Sequence, residues 1–295
     1  MSVILITGAS TGIGRLTALA TARAGHTVFA SMRDIEGRNA VHAREILAIG
    51  ESEQVDLRVV ELDVLSQDSA DSAVAAVLEQ AGRLDVVVHN AGHLVVGYAE
   101  AFTAEDLQHL FDINVIGMHR VNRAALPVLR GQRSGTLLYV GSTSTVSVPP
   151  FLAPYVASKA AFDALASTTA YEANQFGVES VIVMPGAFTT GTAHFPNATR
   201  PSDTERAAEY GELEALMAHN EAGTAALFRP GVNSDPIIVA DEIVRLLELP
   251  FGHKPGRSVV DATGGDVAGV ARTIGAESED FVRRMGFDIL LRAHR

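Results

Sequence analysis

Tyr155 and Lys159 are the pair of residues in this sequence whose types and spacing could support acid–base chemistry. If their segment is helical, positions i and i+4 lie on one face about one turn apart. An ammonium group near a phenol favours the phenolate and lowers the tyrosine pKa, so the side chain could act as a general acid or base. Because the same spacing often arises by chance on a helix, the pair alone leaves both interpretations open.

Hydroxyl-bearing residues follow a predicted strand shortly before this pair. The apolar run 136–140 ends at Gly141, Ser142, Thr143 and Ser144. Ligands of α/β proteins bind at the carboxyl ends of strands, so the Ser142 hydroxyl could hold a substrate oxygen beside the tyrosine. Ser144, in the same run of hydroxyl-bearing residues, is a weaker alternative for this role. A serine after a strand is also common as an ordinary turn residue.

A glycine-rich segment, 7–14, directly follows the apolar run 3–6 near the N-terminus. Gly8 permits a tight turn, Gly12 leaves room for a pyrophosphate at the backbone, and Gly14 lets the next helix pack closely. The N-terminus of that helix offers unpaired N–H groups and a positive dipole end. A plain glycine-rich turn is the alternative. A Walker P-loop is excluded, because no Gly-Lys-Ser/Thr follows.

Short β-branched runs alternate with longer helical patterns as far as about residue 262. Most runs are continuous in Val, Ile and Leu, as expected for strands buried on both faces. Strict alternation with right-handed crossovers yields a doubly wound sheet. We predict an α/β protein: one three-layer Rossmann-type domain over 1–295 with a seven-stranded parallel sheet. The predicted strands are 3–7, 27–31, 57–64, 85–90, 136–141, 180–184 and 257–261. The predicted helices are 15–24, 37–49, 67–81, 103–130, 154–176 and 236–247.

Two regions depart from this alternation. Residues 186–231 are too long for a simple connection and contain aromatic residues, which favours a substrate lid over a disordered segment. The C-terminal extension, 265–295, is predicted to end in a helix at 277–291. Its apolar positions fall on one helical face and are expected to pack on their own domain or on a neighbouring subunit. These positions are Phe281, Met285, Ile289 and Leu290.

Composition limits the classes of partner. The formal net charge of −12 argues against a nucleic-acid or anionic-membrane partner, for which a basic stripe is expected. The absence of cysteine excludes disulfides, thiol catalysis and thiolate metal sites, and the histidines show no paired ligand spacing with carboxylates. No signal-like N-terminus and no apolar run of about 20 residues is present. We therefore expect a soluble, cytoplasmic protein without a metal.

The motifs together resemble the short-chain dehydrogenase/reductase family, in its single-domain branch with a Thr-Gly-x-x-x-Gly-x-Gly cofactor loop. They occur in the order typical of that family and cover roughly residues 1–262. They are 7–14, Leu62-Asp63-Val64, Asn90-Ala91-Gly92, Asn114-Val115, Ser142, Tyr155-x-x-x-Lys159, and Pro185-Gly186 followed by Thr190. His89 departs from the pattern, since many members have an asparagine there; the intact Asn90-Ala91-Gly92 makes this tolerable.

The resemblance implies four catalytic residues. Tyr155 would give a proton to a carbonyl as hydride arrives, or take it from an alcohol in the reverse direction. Ser142 would hold the substrate oxygen. Lys159 would bind the nicotinamide ribose and lower the pKa of Tyr155. Asn114 would distort its helix and hold a water that links Lys159 to solvent.

The resemblance also implies a cofactor site. Asp63 would accept a hydrogen bond from the adenine amino group beside Val64, Asn90 would support the cofactor, and Thr190 would contact the nicotinamide amide. The full predicted set is Gly8, Ser10, Thr11, Gly12, Ile13, Gly14, Arg33, Asp63, Val64, Asn90, Ala91, Gly92, Tyr155, Lys159, Pro185, Gly186 and Thr190.

The end of the second predicted strand favours NADP over NAD. An acidic residue there binds the ribose 2′-hydroxyl of NAD, whereas a nearby arginine accommodates the 2′-phosphate of NADP. Ser31 occupies the usual acidic position and Arg33 follows, with the Thr11 hydroxyl in reach of the same phosphate. The alternative is that Arg33 only pairs with Asp34 or Glu36 in solvent.

The substrate is predicted to be a hydrophobic or aromatic ketone, aldehyde or secondary alcohol. This follows from a largely apolar set of candidate pocket residues with two imidazoles. The set is His93, Val96, Phe151, Phe188, His194 and Phe195, of which His93, Phe151, Phe188 and His194 are the substrate-binding candidates.

Other functions remain open at this point. A regulator that senses a nicotinamide nucleotide without turnover, an NAD-dependent dehydrogenase, and an epimerase or dehydratase with transient oxidation could share the fold. The set Asn114, Ser142, Tyr155 and Lys159 weighs against the sensor, which has no need of it. Family analogy predicts a homodimer or homotetramer with an interface on the helices 103–130 and 154–176.

Overall fold

Seven parallel strands form one sheet in the computed structural model, which describes residues 1–192, 194–228 and 231–294. Their spatial order along the sheet is third, second, first, fourth, fifth, sixth, seventh, and every pairing is parallel. The strands are β1 (Val3–Ile6), β2 (Thr27–Met32), β3 (Leu57–Glu61), β4 (Val86–His89), β5 (Gly135–Val140), β6 (Val178–Pro185) and β7 (Arg257–Val260). The predicted seven-stranded α/β sheet is therefore confirmed. The strand order reverses between β1 and β4, the point at which such sheets open a crevice.

The helices cover both faces of this sheet. Their starts follow local signals: the Ser66 side chain accepts a hydrogen bond from the N–H of Ser69, and Thr103 forms a capping box with Asp106. The α-helices are α1 (Gly12–Arg23), α2 (Ala40–Glu53), α3 (Gln67–Ala81), α4 (Ala104–Phe111), α5 (Gly117–Gln132), α6 (Ala153–Asn174), α7 (Thr204–Ala208), α8 (Glu214–Ala218), α9 (Asn220–Ala225), α10 (Ile237–Glu248) and α11 (Val267–Arg284).

The core consists of two apolar layers, one on each face of the sheet. Successive strand residues point to opposite faces, so Leu5 packs in one layer while Ile4 and Ile6 pack in the other. The first layer includes Val77 of α3, Val121 of α5 and Phe162 of α6; the second includes Ala18 of α1 and Ile243 of α10. Burial on both faces is why the strands are continuous apolar runs.

The helix predicted over 103–130 is not regular throughout. A π-helical turn, Asp112–Ile116, separates α4 from α5 and contains Asn114. A π-turn inserts one extra residue into the helical repeat, and such turns occur often at functional sites. The predicted helix therefore continues through this stretch but contains a π-turn at Asn114, the residue that the resemblance implies would distort its helix.

The described part of the segment between β6 and α10 contains only short elements: α7, the 3-10 turn Gly211–Leu213, α8 and α9. Its first part is attached to the loop after β4, because Thr199 forms an isolated parallel bridge with Val95. Positions 193, 229 and 230 of the predicted insertion lie outside the described residues.

The C-terminal extension forms a helix ten residues earlier than predicted. α11 begins at Val267, where the Asp266 side chain accepts the N–H of Gly269, and it is followed by the 3-10 turn Asp288–Leu291. Phe281, Met285 and Ile289 are each more than half exposed, so the described part of the chain does not cover this apolar stripe. Position 295 of the predicted extension lies outside the described residues. Among those that the structure describes, no helix is both long and apolar enough to cross a bilayer.

Candidate active site

A cavity of about 650 Å³ opens at the carboxyl ends of the strands. Turns after β1, β2, β3, β4, β5 and β6 line it, together with residues of the segment between β6 and α10. We call the part lined by Met32, Arg33, Arg38, Asn39 and His42 the arginine end. We call the part lined by Ser142, Tyr155 and Lys159 the tyrosine end.

Thr7 and Asn90 join the glycine-rich turn to the turn after β4. The Thr7 hydroxyl oxygen accepts hydrogen bonds from the N–H groups of Asn90 and Ala91, each at 3.0 Å. The Asn90 side-chain amide donates to the carbonyl oxygens of Thr7 and Gly8, also at 3.0 Å. Four hydrogen bonds therefore hold together the two turns that flank the crevice.

Two glycines of this turn could not carry a side chain without displacement. Gly8 has φ of 66°, and a Cβ there would lie 2.8 Å from the Ala91 Cα. At Gly14, a Cβ would lie 2.3 Å from the Asn90 amide nitrogen and 2.4 Å from the Gly8 carbonyl oxygen. This close packing places the N-terminus of α1 at the cavity, where Thr11 is the N-cap and its hydroxyl makes no capping bond. The arrangement fits a dinucleotide pyrophosphate, which such an N-terminus attracts.

The arginine end carries two guanidinium groups. Arg33 and Arg38 are exposed, and neither takes part in an ion pair in the described part of the chain. The Asp34 carboxylate accepts a hydrogen bond from the backbone N–H of Arg38 at 2.7 Å, not from its guanidinium group. Ser31 is fully buried and donates to the Ile6 carbonyl oxygen at 2.9 Å, so its hydroxyl is not offered to the cavity.

Asn114 is buried beneath the tyrosine end and does not line the cavity. Its side-chain oxygen accepts the N–H of His93 at 2.7 Å, and its amide donates to the His93 carbonyl oxygen at 3.0 Å. The same amide donates to the Ser158 hydroxyl at 2.9 Å. Asn114 therefore ties the chain after β4 to α6, the helix that carries Tyr155 and Lys159.

Tyr155 and Ser142 lie together at the tyrosine end. Burial raises the pKa of Tyr155 to about 12, and the neighbouring Ser142 hydroxyl opposes that rise. Tyr155 in the protein alone is thus a protonated phenol at neutral pH. The Ser142 oxygen accepts the N–H of Ser144 at 3.1 Å, while the buried Ser144 hydroxyl has no partner among the described residues.

Lys159 is buried on the same helix face. Its ammonium nitrogen donates to the Val140 carbonyl oxygen at 2.9 Å and lies 6.0 Å from the centre of the Tyr155 ring. Burial lowers the pKa of Lys159 to about 8. In the protein alone, burial therefore raises the pKa of Tyr155, whereas the sequence predicts that a neighbouring lysine lowers it.

Most of the predicted site residues line this one cavity. At the tyrosine end they include His93, His194, Phe188 and Phe195. Those near the glycine-rich turn and the strand ends are Gly8, Ser10, Thr11, Gly12, Ile13, Arg33, Asp63, Val64, Asn90, Ala91, Gly92, Pro185 and Gly186.

A few predicted residues lie elsewhere. Thr190 is exposed and outside the lining, whereas Thr192 lines the cavity and would be the nearest contact, at 3.7 Å, of a Cβ at Gly12. Phe151 packs edge-on against Tyr98, with ring centres 5.9 Å apart, rather than facing the cavity. Val96 is buried in the same apolar cluster, which pairs the loop after β4 with the N-terminal end of α6.

His89 occupies the position that departs from the family pattern, and its side chain is fully enclosed. Its ring stacks on Tyr139 with centres 4.8 Å apart and planes 9° apart. Burial lowers the pKa of His89 to about 3, so the ring is uncharged. The side chain belongs to the core and leaves Asn90, the next residue, to brace the turn.

Sequence reasoning missed several polar residues of the lining, among them Arg38, Asn39, His42 and Thr192. The side-chain amide of Asn39 donates to the Arg33 carbonyl oxygen at 2.6 Å, which fixes the turn after β2. A second arginine five positions after Arg33 was the available signal at this end. No group of three His, Asp or Glu side chains in the described ranges is placed to hold a metal ion.

Comparison with known proteins agrees with this geometry. A family model described as short chain dehydrogenase matches residues 2–201. The chain belongs to the short chain dehydrogenase family. The resemblance inferred from the motifs is thereby confirmed, and the Rossmann-type fold is that of solved structures from the same family.

Curated relatives of this short chain dehydrogenase carry varied names. A 3-ketodihydrosphingosine reductase of Bacteroides thetaiotaomicron is 31% identical over 190 residues, which are 64% of this chain and 65% of that protein. Retinol dehydrogenase 8 of Bos taurus is 32% identical over 65% of this chain and 64% of its own length. The chain thus matches slightly less than two thirds of these relatives.

Solved structures of similar proteins cover more of the chain. A short-chain dehydrogenase from Streptomyces avermitilis has a TM-score of 0.72 and 30% identity, covering 97% of this chain and 100% of its own. An alcohol dehydrogenase from Thermococcus sibiricus, complexed with 5-hydroxy-NADP, has a TM-score of 0.69 and 25% identity, covering 89% and 97%.

Proposed function

We propose that this short chain dehydrogenase transfers a hydride between NADP(H) and a hydrophobic or aromatic ketone, aldehyde or secondary alcohol. The observation that carries the proposal is the meeting of Ser142, Tyr155 and Lys159 at one end of a cavity whose other end holds the glycine-rich turn and Arg33. When bound, the nicotinamide supplies or accepts the hydride.

The chain's own residues hold the substrate and move the proton. The Ser142 hydroxyl holds the carbonyl oxygen, and Tyr155 donates its phenolic proton to that oxygen as the carbonyl carbon gains hydride. With its pKa raised to about 12 in the protein alone, Tyr155 is protonated at neutral pH, which is the state that an acid role requires. Lys159 holds the ribose and offers a proton path, and Asn114 fixes the helix and the loop that carry these groups.

NADP is proposed as the cofactor, with NAD less favoured. Support comes from the two exposed guanidinium groups of Arg33 and Arg38 and from the free hydroxyl of Thr11. No carboxylate pairs with either arginine in the described part of the chain, so both are available to a 2′-phosphate. Asp63 and Val64 line the cavity where the adenine is expected. The expected outcome is a lower dissociation constant for NADPH than for NADH; equal or NADH-favoured binding contradicts the choice.

The substrate class rests on the apolar side chains Phe188, Phe195 and Leu152 around the tyrosine end. The names of two relatives, a 3-ketodihydrosphingosine reductase and a retinol dehydrogenase, specify a ketone and an alcohol. Phe151, which lies outside the lining, acts on this pocket only through the loop that it packs against.

We also propose a cytoplasmic homodimer or homotetramer. The helices α5 and α6 are the expected interface by family analogy, and the uncovered stripe of Phe281 and Met285 at the C-terminal end of α11 offers a second surface. Neither a nucleic acid nor a membrane is expected as a partner, given the net charge of −12.

The test is NADPH consumption over a panel of aromatic and aliphatic ketones and aldehydes, with wild type against Tyr155→Phe. We expect the variant to lose about 10²- to 10⁴-fold in kcat/KM, the range for removal of a general acid, while it still binds NADPH. Tyr171→Phe, on the same helix but outside the cavity lining, is the control and should keep its activity.

Two outcomes would contradict the proposal. Full activity of Tyr155→Phe would remove the tyrosine from the chemistry. Tight NADPH binding by wild type without turnover of any compound in the panel would favour a nucleotide-sensing regulator on the same fold.

A further inference from the structure

His194 stands against the face of the site where substrate reacts. It lines the cavity from the segment after β6, and its ring lies edge-on to the Tyr155 ring, with centres 5.8 Å apart and planes at 72°. A molecule whose oxygen reaches the Tyr155 hydroxyl therefore passes beside this imidazole.

The His194 ring has unused hydrogen-bonding capacity. Its backbone N–H donates to the Thr192 hydroxyl at 3.4 Å, but its ring nitrogens have no hydrogen-bond partner among the described residues. Burial, with Lys159 and His93 nearby, lowers the pKa of His194 to about 4. The ring is therefore neutral at physiological pH and presents one N–H donor and one acceptor.

The other imidazole of the cavity is already engaged. The His93 ring nitrogen Nε2 lies 2.5 Å from the Thr199 hydroxyl oxygen, and the His93 backbone is held on both sides by Asn114. His93 thus joins the loop after β4 to the segment between β6 and α10. Only one of the two rings has both nitrogens free for a ligand in the described structure.

The surroundings of His194 determine what a ligand gains by bonding to its unpaired ring nitrogens. Nearby lining residues are apolar, among them Leu94, Leu152, Phe188 and Phe195. His194 is half-buried, and a ligand that supplies a partner for its unpaired ring nitrogens in this partly desolvated position gains the free energy of a hydrogen bond. Ser142 and Tyr155 already serve the reacting oxygen, so the partner for His194 must be a different atom of the substrate.

We infer that His194 is a specificity-determining residue that hydrogen-bonds a second oxygen of the substrate, a hydroxyl or carbonyl on the carbon adjacent to the reacting carbon or one further along. The substrate class is then an α- or β-oxygenated ketone, or the corresponding diol, with an apolar remainder. This inference rests on the proposed oxidoreductase function of the same site.

The distance between the rings sets the position of the second oxygen. Ring centres 5.8 Å apart and planes at 72° are an edge-to-face contact, so a substrate lies across the exposed edges of both rings rather than between them. Oxygens on adjacent or next-adjacent carbons are roughly 3 to 5 Å apart, from ordinary bond lengths, so one such pair reaches both rings. An oxygen at the far end of a long substrate would lie beyond His194.

The experiment measures dead-end complexes, in which no hydride can move. Protein saturated with NADPH is titrated by calorimetry with 1-phenylethane-1,2-diol and with 1-phenylethanol, which differ by one hydroxyl. We expect the diol to bind wild type about 10-fold more tightly, the effect of one additional hydrogen bond. His194→Phe should abolish this preference, and His194→Gln, which keeps a donor and an acceptor, should retain most of it.

The matched control is His93→Phe, which removes the other imidazole of the cavity and should leave the preference in place. Reduction of 2-hydroxyacetophenone and acetophenone is measured in parallel, and the ratio of the two kcat/KM values should fall about 10-fold in His194→Phe. This ratio cancels the different reactivities of the two ketones.

Equal affinities of wild type for the two alcohols, or a preference that survives His194→Phe, would overturn the inference. A preference lost in His93→Phe alone would also overturn it. Failure of the proposed function has a different signature: the ketones are not reduced at all, while the alcohol titrations still report on His194.

Discussion

The arginine end and the tyrosine end of the cavity hold their charged groups in different ways. Arg33 and Arg38 extend into solvent, where an unpaired guanidinium is well hydrated. Lys159 is buried, and a backbone carbonyl oxygen accepts its hydrogen bond while its pKa falls to about 8. The exposed arginines therefore do not destabilise the folded protein when no ligand is bound. The burial of the Lys159 ammonium group does destabilise it.

The two ends also differ in how they are built. The arginine end uses one short turn after β2, in which Asn39 and Asp34 hold the backbone. The tyrosine end brings together the turn after β5, the π-turn at Asn114, helix α6 and the segment that carries His194. Substitutions at the first end should change affinity alone, and those at the second should change stability together with activity.

The largest difference between the arginine end and the tyrosine end is expected in NADPH binding by the double variant Arg33→Ala with Arg38→Ala. Loss of two charge-assisted hydrogen bonds should raise the dissociation constant for NADPH about 100-fold, while that for NADH changes less than about 3-fold. Fluorescence titration with each nucleotide measures both constants.

Arg44→Ala is the matched control, since Arg44 is exposed on α2 but lies outside the cavity lining. The melting temperature of the double variant should stay that of wild type. Equal weakening of NADPH and NADH would show that the arginines do not act on a 2′-phosphate.

The free energy of unfolding, measured as a function of pH, should reveal the electrostatic cost of burying Lys159 at the tyrosine end. The pKa of Lys159 is about 8 in the folded protein, below its value of about 10.4 in an unfolded chain. Between these values the unfolded chain binds the proton and the folded protein does not. The free energy of unfolding should therefore rise with pH above about 8, by up to about 1.4 kcal/mol per pH unit from this group.

Urea unfolding at intervals from pH 7 to 9.5 measures that slope, and Lys159→Gln should lack it. Lys254 is the other lysine of the chain and pairs with Glu179 at 2.7 Å. Lys254→Gln should be less stable overall but keep the wild-type slope. A slope that persists in Lys159→Gln would assign the pH dependence to another group.

The smallest effect is expected where the segment after β6 is attached by exposed side chains. Glu100 pairs with Arg206 at 2.8 Å and accepts the Tyr210 hydroxyl at 2.6 Å, on a surface where both charged partners are about half exposed. Glu100→Gln should lower the free energy of unfolding by less than about 1 kcal/mol, because exposed pairs are well solvated. Chemical unfolding and KM for a reduced ketone are the measurements.

Glu105→Gln, on the neighbouring exposed helix face, is the control for a change of charge without a pairing partner. A rise in KM above about 10-fold in Glu100→Gln would show that this exposed contact shapes the tyrosine end.

Local sequence patterns predicted the seven strands and most helices to within a few residues, because burial on both faces requires continuous apolar runs. They were weaker where tertiary contacts set the boundary. The π-turn at Asp112–Ile116 allows Asn114 to bond across to His93 and Ser158, and no local periodicity encodes such partners. α11 begins at Val267, directly after its N-cap residue Asp266. The sequence contained this cap signal, but the predicted helix was placed on the apolar stripe near Phe281 instead.

The sequence by itself determined the family and the seven-stranded parallel sheet, and it predicted the glycine-rich turn, Ser142, Tyr155 and Lys159 as parts of the site. These follow from short-range constraints: the steric need for glycine, helical spacing and apolar runs. Only the tertiary structure decided that Arg38 joins Arg33, that Thr192 rather than Thr190 lines the cavity, and that His194 meets Tyr155. Those outcomes depend on the path of turns and of a long connection through space, where contacts between distant residues, and not local spacing, set which side chains are buried together.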